Sequence, residues 1–155
     1  MKKTIAVMLS VSLLSSVAVM AQPAKSAKQA AGAIEARQAI FKLVKSNVGI
    51  LGAMNKGAVP FDAEILQTNA KRLEQLSLMV EDYFATDTSK FDLDTEAVDD
   101  IWKNQADFNE KADALTLASV ELYKAAAAGD ESKYKSAIGG VFKTCKGCHD
   151  SYKAD

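Results

Sequence analysis

The 155-residue chain is poor in helix breakers, in histidine and in cysteine. Its two prolines are Pro23 and Pro60, and it has eight glycines. No strand or hairpin pattern stands out and no internal repeat is visible, so long helices are expected. The single histidine, His149, excludes a metal held by two histidines of one chain. One histidine and two cysteines also fall short of the four ligands of a usual structural zinc site. Only two residues are arginine, Arg37 and Arg72, and the formal net charge is −1, so there is no basic footprint for nucleic acid. No acid–base or nucleophile constellation stands out, and no enzyme is expected.

Hydrophobic residues make up 48% of the chain and charged residues 25%. That composition suits one globular domain. The first segment is set apart. Lys2 and Lys3 precede an apolar stretch from Ile5 to Met20, and Val19-Met20-Ala21 offers a small-residue cleavage site. Residues 1–21 therefore read as a secretory signal peptide and 22–155 as the mature domain, exported to the periplasm. The stretch is short for a permanent anchor and lacks a charged stop, and no later segment is apolar enough to span a bilayer. Cleavage leaves 17 of the 19 basic groups against 20 acids, a net charge of −3.

Apolar spacing marks four helices. Ile34, Phe41, Val44, Val48 and Leu51 lie on one helical face. That helix ends near Asn55-Lys56-Gly57, where glycine can take the left-handed conformation. Asp62 is a good N-cap for a second helix, with Phe61 placed to staple onto Leu66. Its stripe is Leu66, Leu73, Leu76 and Val80, it frays by Tyr83–Phe84, and Thr86 to Asp94 reads as a polar loop. Thr95 is the expected N-cap of the third helix, with Ile101, Phe108, Ala112, Leu115, Ser119 and Leu122 inside. Gly129 stops it and Asp130 is expected to cap the fourth, whose stripe is Tyr134, Ile138, Val141, Cys145, Cys148 and Tyr152. The expected fold is all-α, an antiparallel up-down-up-down four-helix bundle.

Cys145-Lys146-Gly147-Cys148-His149 is a Cys-x-x-Cys-His attachment signature, from which a haem near the C-terminal helix of the bundle is expected. Two thiols must reach the vinyl groups on one porphyrin edge while the next residue turns an imidazole toward the iron. On a helix, positions i, i+3 and i+4 share one face. A disulfide remains chemically possible. A thioredoxin-like motif wants a βαβ setting, which this chain lacks. With one histidine, a sixth protein ligand would be Met or, less commonly, Lys, and the mature methionines are Met54 and Met79.

The mature chain resembles the class II cytochromes c, and within them cytochrome c′. The resemblance rests on Ala36-Arg37-Gln38, on Thr95 to Trp102 with Ile101-Trp102, on Ala128-Gly129-Asp130, and on Cys145 to Tyr152 at the C-terminal end. It implies a four-helix bundle, often a homodimer through the first two helices. It also implies one covalently attached haem c per chain, with His149 as axial ligand to iron. The family's haem is commonly five-coordinate and high-spin, its sixth side covered by an apolar residue one turn after the arginine, here Phe41. Low-spin relatives carry a Met ligand in this part of the first helix, and this chain has no Met between Met20 and Met54. By resemblance Arg37 pairs with a haem propionate, and Gln38, Thr95 and Glu96 match haem-edge positions. Two positions depart from the pattern. Lys153 stands where the family usually has an arginine near the proximal face, and Phe41 where many relatives have an aliphatic residue.

Three functions follow as alternatives. The first is a periplasmic haem protein binding nitric oxide and carbon monoxide at an open iron position. The second is an electron carrier between periplasmic redox partners, including a low-spin class II cytochrome c. The third, a bare helical scaffold, requires the haem motif to be accidental.

Overall fold

The computed structural model describes residues 21–154; of the expected signal segment 1–21, only Ala21 falls within them. The elements are β1 (Gln22–Pro23), α1 (Ala27–Asn55), α2 (Ala63–Leu78), α3 (Val80–Phe84), β2 (Thr86–Asp87), α4 (Asp100–Lys103), α5 (Gln105–Ala127) and α6 (Glu131–Tyr152). The long helices α1, α2, α5 and α6 form the expected up-down-up-down bundle: α2 and α6 lie along α5, and α1 closes against α2 and α6.

Local chemistry sets most helix ends. Ser26, in extended conformation, caps α1 by accepting the Gln29 N–H at 3.2 Å, which satisfies one donor of the first turn. Gly57 (φ 72°) and Gly129 (φ 66°) take the left-handed backbone after α1 and α5. Side chains disfavour that conformation, and glycine does not. Asp62 caps α2 as expected, accepting the Ile65 N–H at 2.9 Å. Phe61 shares a core cluster with Leu66, but its ring partner is Tyr134 (centroids 5.7 Å, edge-on).

Four expectations are corrected. The core face of α1 runs through Ile34, Ile40, Val44, Leu51 and Met54, while Phe41 is 38% exposed. Ile40 lies about 100° round the helix from Phe41 and takes the core position, turning Phe41 sideways. Thr95 does not begin the third helix: its Oγ1 accepts the Ala97 N–H at 3.2 Å, and α4 starts at Asp100. Residues 96–98 pair with the C-terminal tail instead: Val98 N–H donates to Tyr152 O and Ala154 N–H to Glu96 O. Asp130 occupies the N-cap position of α6 without capping it, its carboxylate taking the Ser132 hydroxyl and the Lys133 ammonium. A parallel pair of two-residue strands, β1 with β2, ties the segment before α1 to the loop after α3 where no strand was expected.

Two apolar clusters result. The larger joins Ile40, Leu51, Leu66, Leu73, Leu122 and Ile138 with their neighbours along the bundle. The smaller gathers Val80, Phe84, Ile101, Phe108, Ala112 and Tyr152 near the C-terminal end of α6. Among the described residues no helix is long and apolar enough to cross a membrane.

Candidate haem-binding site

Cys145, Cys148 and His149 sit in the last third of α6, in unbroken helix, so they project from one side. Cys145 packs against the larger cluster and Cys148 against the smaller. The motif therefore straddles the seam between the two. Both cysteines are free thiols and half-buried, and burial pushes both thiols up from their ordinary range. Lys111 of α5 acts on Cys148 in the opposite sense. His149 is exposed. Lys146 pairs with Asp150 at 2.6 Å, one turn on, bracing the helix across the motif.

Below the motif lies a chain of rings. Phe41 of α1 meets Phe84 of α3 edge-on (centroids 6.3 Å, 70°), Phe84 meets Phe108 of α5 (4.6 Å), and Phe108 meets Tyr152 of α6 (5.4 Å, 83°). The Tyr152 hydroxyl donates to Asp107 Oδ2 at 2.5 Å. Burial first, and this bond second, push the phenol up to about 12, since both disfavour the phenolate.

Arg37 is 3% exposed, so it is not a solvated surface arginine. Its Nε donates to Tyr83 O (2.9 Å), Nη1 to Thr88 Oγ1 (3.1 Å) and Nη2 to Thr86 O. The guanidinium lies over the Phe84 ring (4.6 Å) and the Trp102 ring (5.0 Å), whose faces attract a cation. Trp102 also donates its Nε1–H to Phe84 O at 3.1 Å. Burial lowers Arg37 to about 10, partly offset by Asp87, and it stays charged at neutral pH. Three of its five N–H groups are committed to the segment from Tyr83 to Thr88.

The other expected site residues are more dispersed. Gln38 is exposed beside Arg37. Glu96 pairs with Lys153 at 3.2 Å, so this lysine has a partner within the chain. Thr95 lines an open cavity of about 390 Å³ in the long loop, together with Thr88, Phe91, Asp99 and Trp102. Met54 is in the larger cluster, and Met79 is 38% exposed at the break between α2 and α3. Sequence reasoning missed Phe84, Phe108, Thr88 and Asp107 as site residues. For Phe84 the signal was weak, since it sits where the helical pattern frays; for Asp107 there was no local signal.

Among the described residues no three His, Cys, Asp or Glu side chains converge as a metal cage. What the site offers is one imidazole, two uncommitted thiols on the same helix face, an apolar aromatic bed and a buried guanidinium. That combination suits a flat apolar macrocycle with a central metal and carboxylate tails, and the residues fit the group.

Comparisons with known proteins agree. A family model described as Cytochrome C' matches residues 32–153. The cytochrome c' of Rubrivivax gelatinosus is 36% identical over 121 residues, covering 78% of this chain and 93% of that protein. Among solved structures, cytochrome c prime from Shewanella frigidimarina superposes with a TM-score of 0.74 at 41% identity, covering 81% of this chain and 97% of that one. A nitric oxide complex of a variant cytochrome c prime from Alcaligenes xylosoxidans gives 0.70 at 32% identity, covering 81% and 96%. Profile, identity over most of the chain and bundle geometry converge: the chain belongs to the cytochrome c′ family of haem c proteins.

Proposed function

We propose that this protein is a periplasmic cytochrome c′ with one haem per chain and an open iron face that takes nitric oxide and carbon monoxide. Residues 1–21 are its signal peptide and 22–155 its haem domain. Cys145 and Cys148 form the two thioethers and His149 is the axial ligand. When bound, the haem supplies an iron that takes a neutral diatomic or changes oxidation state. The chain's own residues do the rest. Arg37 directs its two uncommitted N–H groups to a propionate as a charge-assisted contact. Gln38, Thr95 and Glu96 border the haem edge. Phe41 covers the sixth side, where an apolar ring disfavours water and anions and offers no ligand.

The observation that carries this reading is the motif's position. Two free, half-buried thiols and the chain's single histidine share one helix face at the seam of two cores. The relative crystallised with nitric oxide supports the gas ligand. Electron exchange with periplasmic redox partners draws on the same site, and no enzymatic step is part of the reading. A homodimer through α1 and α2 is supported by the exposed Leu43 and an open groove of about 710 Å³ between Leu43, Asn47, Asn69 and Leu76.

The test is the absorption spectrum of the protein purified from a periplasm. A Soret band that resists acid extraction and a broad ferrous high-spin spectrum are expected. Without a Soret band the haem reading fails. Sharp α and β bands in the ferrous form would instead identify a low-spin electron carrier.

A further inference from the structure

We infer that Phe84 is a positioning residue for Phe41: a fixed ring against which the distal ring rests and from which it must part to admit a diatomic ligand. The inference rests on the proposed distal role of Phe41. The two rings are unequally held. Phe84 is 4% exposed, and its ring lies under the Arg37 guanidinium at 4.6 Å and beside Phe108 at 4.6 Å. Its carbonyl accepts the Trp102 Nε1–H at 3.1 Å. Arg37 is in turn tied to Tyr83, Thr86 and Thr88, on both sides of Phe84. Swinging Phe84 away would break a buried cation–π contact and open the smaller core.

Phe41 is the less constrained partner. It is 38% exposed, and its ring contact among the described residues is the edge-on pair with Phe84. That pair stabilises the closed arrangement of Phe41, whose opening costs the loss of one edge-to-face contact. An edge-to-face contact of ordinary strength shifts such an equilibrium by roughly two- to tenfold. Access to the site is then set by residues of α1 and α3 together, with Arg37 acting through Phe84.

The experiment is a double-mutant cycle on the ferrous holoprotein with carbon monoxide as the probe. Phe84→Leu keeps an apolar side chain but removes the ring, and is preferred to Phe84→Ala, which risks unfolding the smaller cluster. Association is followed after flash photolysis, and equilibrium unfolding is measured on the same four proteins. Phe84→Leu should raise the association rate roughly two- to tenfold in the wild-type background and change it little in a Phe41→Ala background. The unfolding constants should show coupling of similar size between the two sites. An unchanged rate in Phe84→Leu beside a raised rate in Phe41→Ala overturns the positioning role, as do effects that simply multiply. If Phe41→Ala itself leaves the rate unchanged, the distal reading of Phe41 has failed and the role of Phe84 falls with it.

Discussion

The two ends of the bundle solve different problems with different residues. The larger cluster is mostly aliphatic, with Leu51, Leu66, Leu73, Leu122, Ile138 and Val141 fully or almost fully buried along four helices. Buried hydroxyls on these helices are satisfied close by: Ser77 Oγ meets Thr116 Oγ1 at 2.7 Å and Ser119 donates to Leu115 O. The smaller cluster is built from rings, a buried arginine, a tyrosine–aspartate bond and a loop paired with residues 22–23 and with Lys153. The first end depends on area removed from water, which is non-directional and tolerant of exchange. The second depends on placed polar contacts, which hold a few side chains in one arrangement. A site for a rigid planar group belongs at the second end, and α6 carries the haem motif where the two meet.

If that division holds, variants at the two ends should differ in what they disturb. The largest effect is expected from the double replacement Cys145→Ser/Cys148→Ser. No haem should remain attached through extraction with acidified organic solvent, whereas the parent retains all of it. Next comes Leu122→Ala, at the aliphatic end, where the side chain is fully buried. Truncating it should cost about 2–5 kcal/mol in denaturant unfolding. The ferrous spectrum of the folded variant should not change. A spectral change there would mean the ends are not independent.

Tyr152→Phe tests the polar end. Losing its bond to Asp107 should cost about 1–2 kcal/mol. It should also alter pH dependence in a defined window. The folded phenol is raised to about 12 from an ordinary value of 10.0. The unfolded chain therefore loses that proton first as pH rises. The stabilisation is complete below about pH 10 and is lost between about 10 and 12. Subtracting the Tyr152→Phe stability curve from that of the parent should isolate this fall; parallel curves through the window would remove the buried-phenol account. Lys153→Ala should have the smallest effect. Its ion pair with Glu96 is solvent-exposed. About 1 kcal/mol or less is expected in stability.

The same division explains what was legible in the sequence. The aliphatic end could be read because periodicity reports burial. Leu66, Leu73, Leu115, Leu122, Ile138 and Val141 all fall where the helical repeat puts them. Asp62, Gly57 and Gly129 could be read because caps and left-handed turns are local chemistry. Cys145, Cys148 and His149 were visible as a motif of fixed spacing. The site end was less legible because its contacts join residues far apart in the chain. Arg37 meets Thr88 across 51 positions and Tyr152 meets Asp107 across 45. Thr95 illustrates the failure: a good capping residue was outcompeted when residues 96–98 paired with the C-terminal tail. Phe41 illustrates a smaller one, since a single-residue difference in helix phase moved it from the core stripe to the edge of the ring chain.

The central claim is that the smaller, aromatic end holds a haem whose iron has one open face. Titrating nitric oxide into the ferrous holoprotein, with the Soret region recorded at each step, tests it most directly. The account predicts a high-spin starting spectrum converted at one equivalent of nitric oxide per chain. A spectrum that starts low-spin, or one that nitric oxide leaves unchanged, would contradict it.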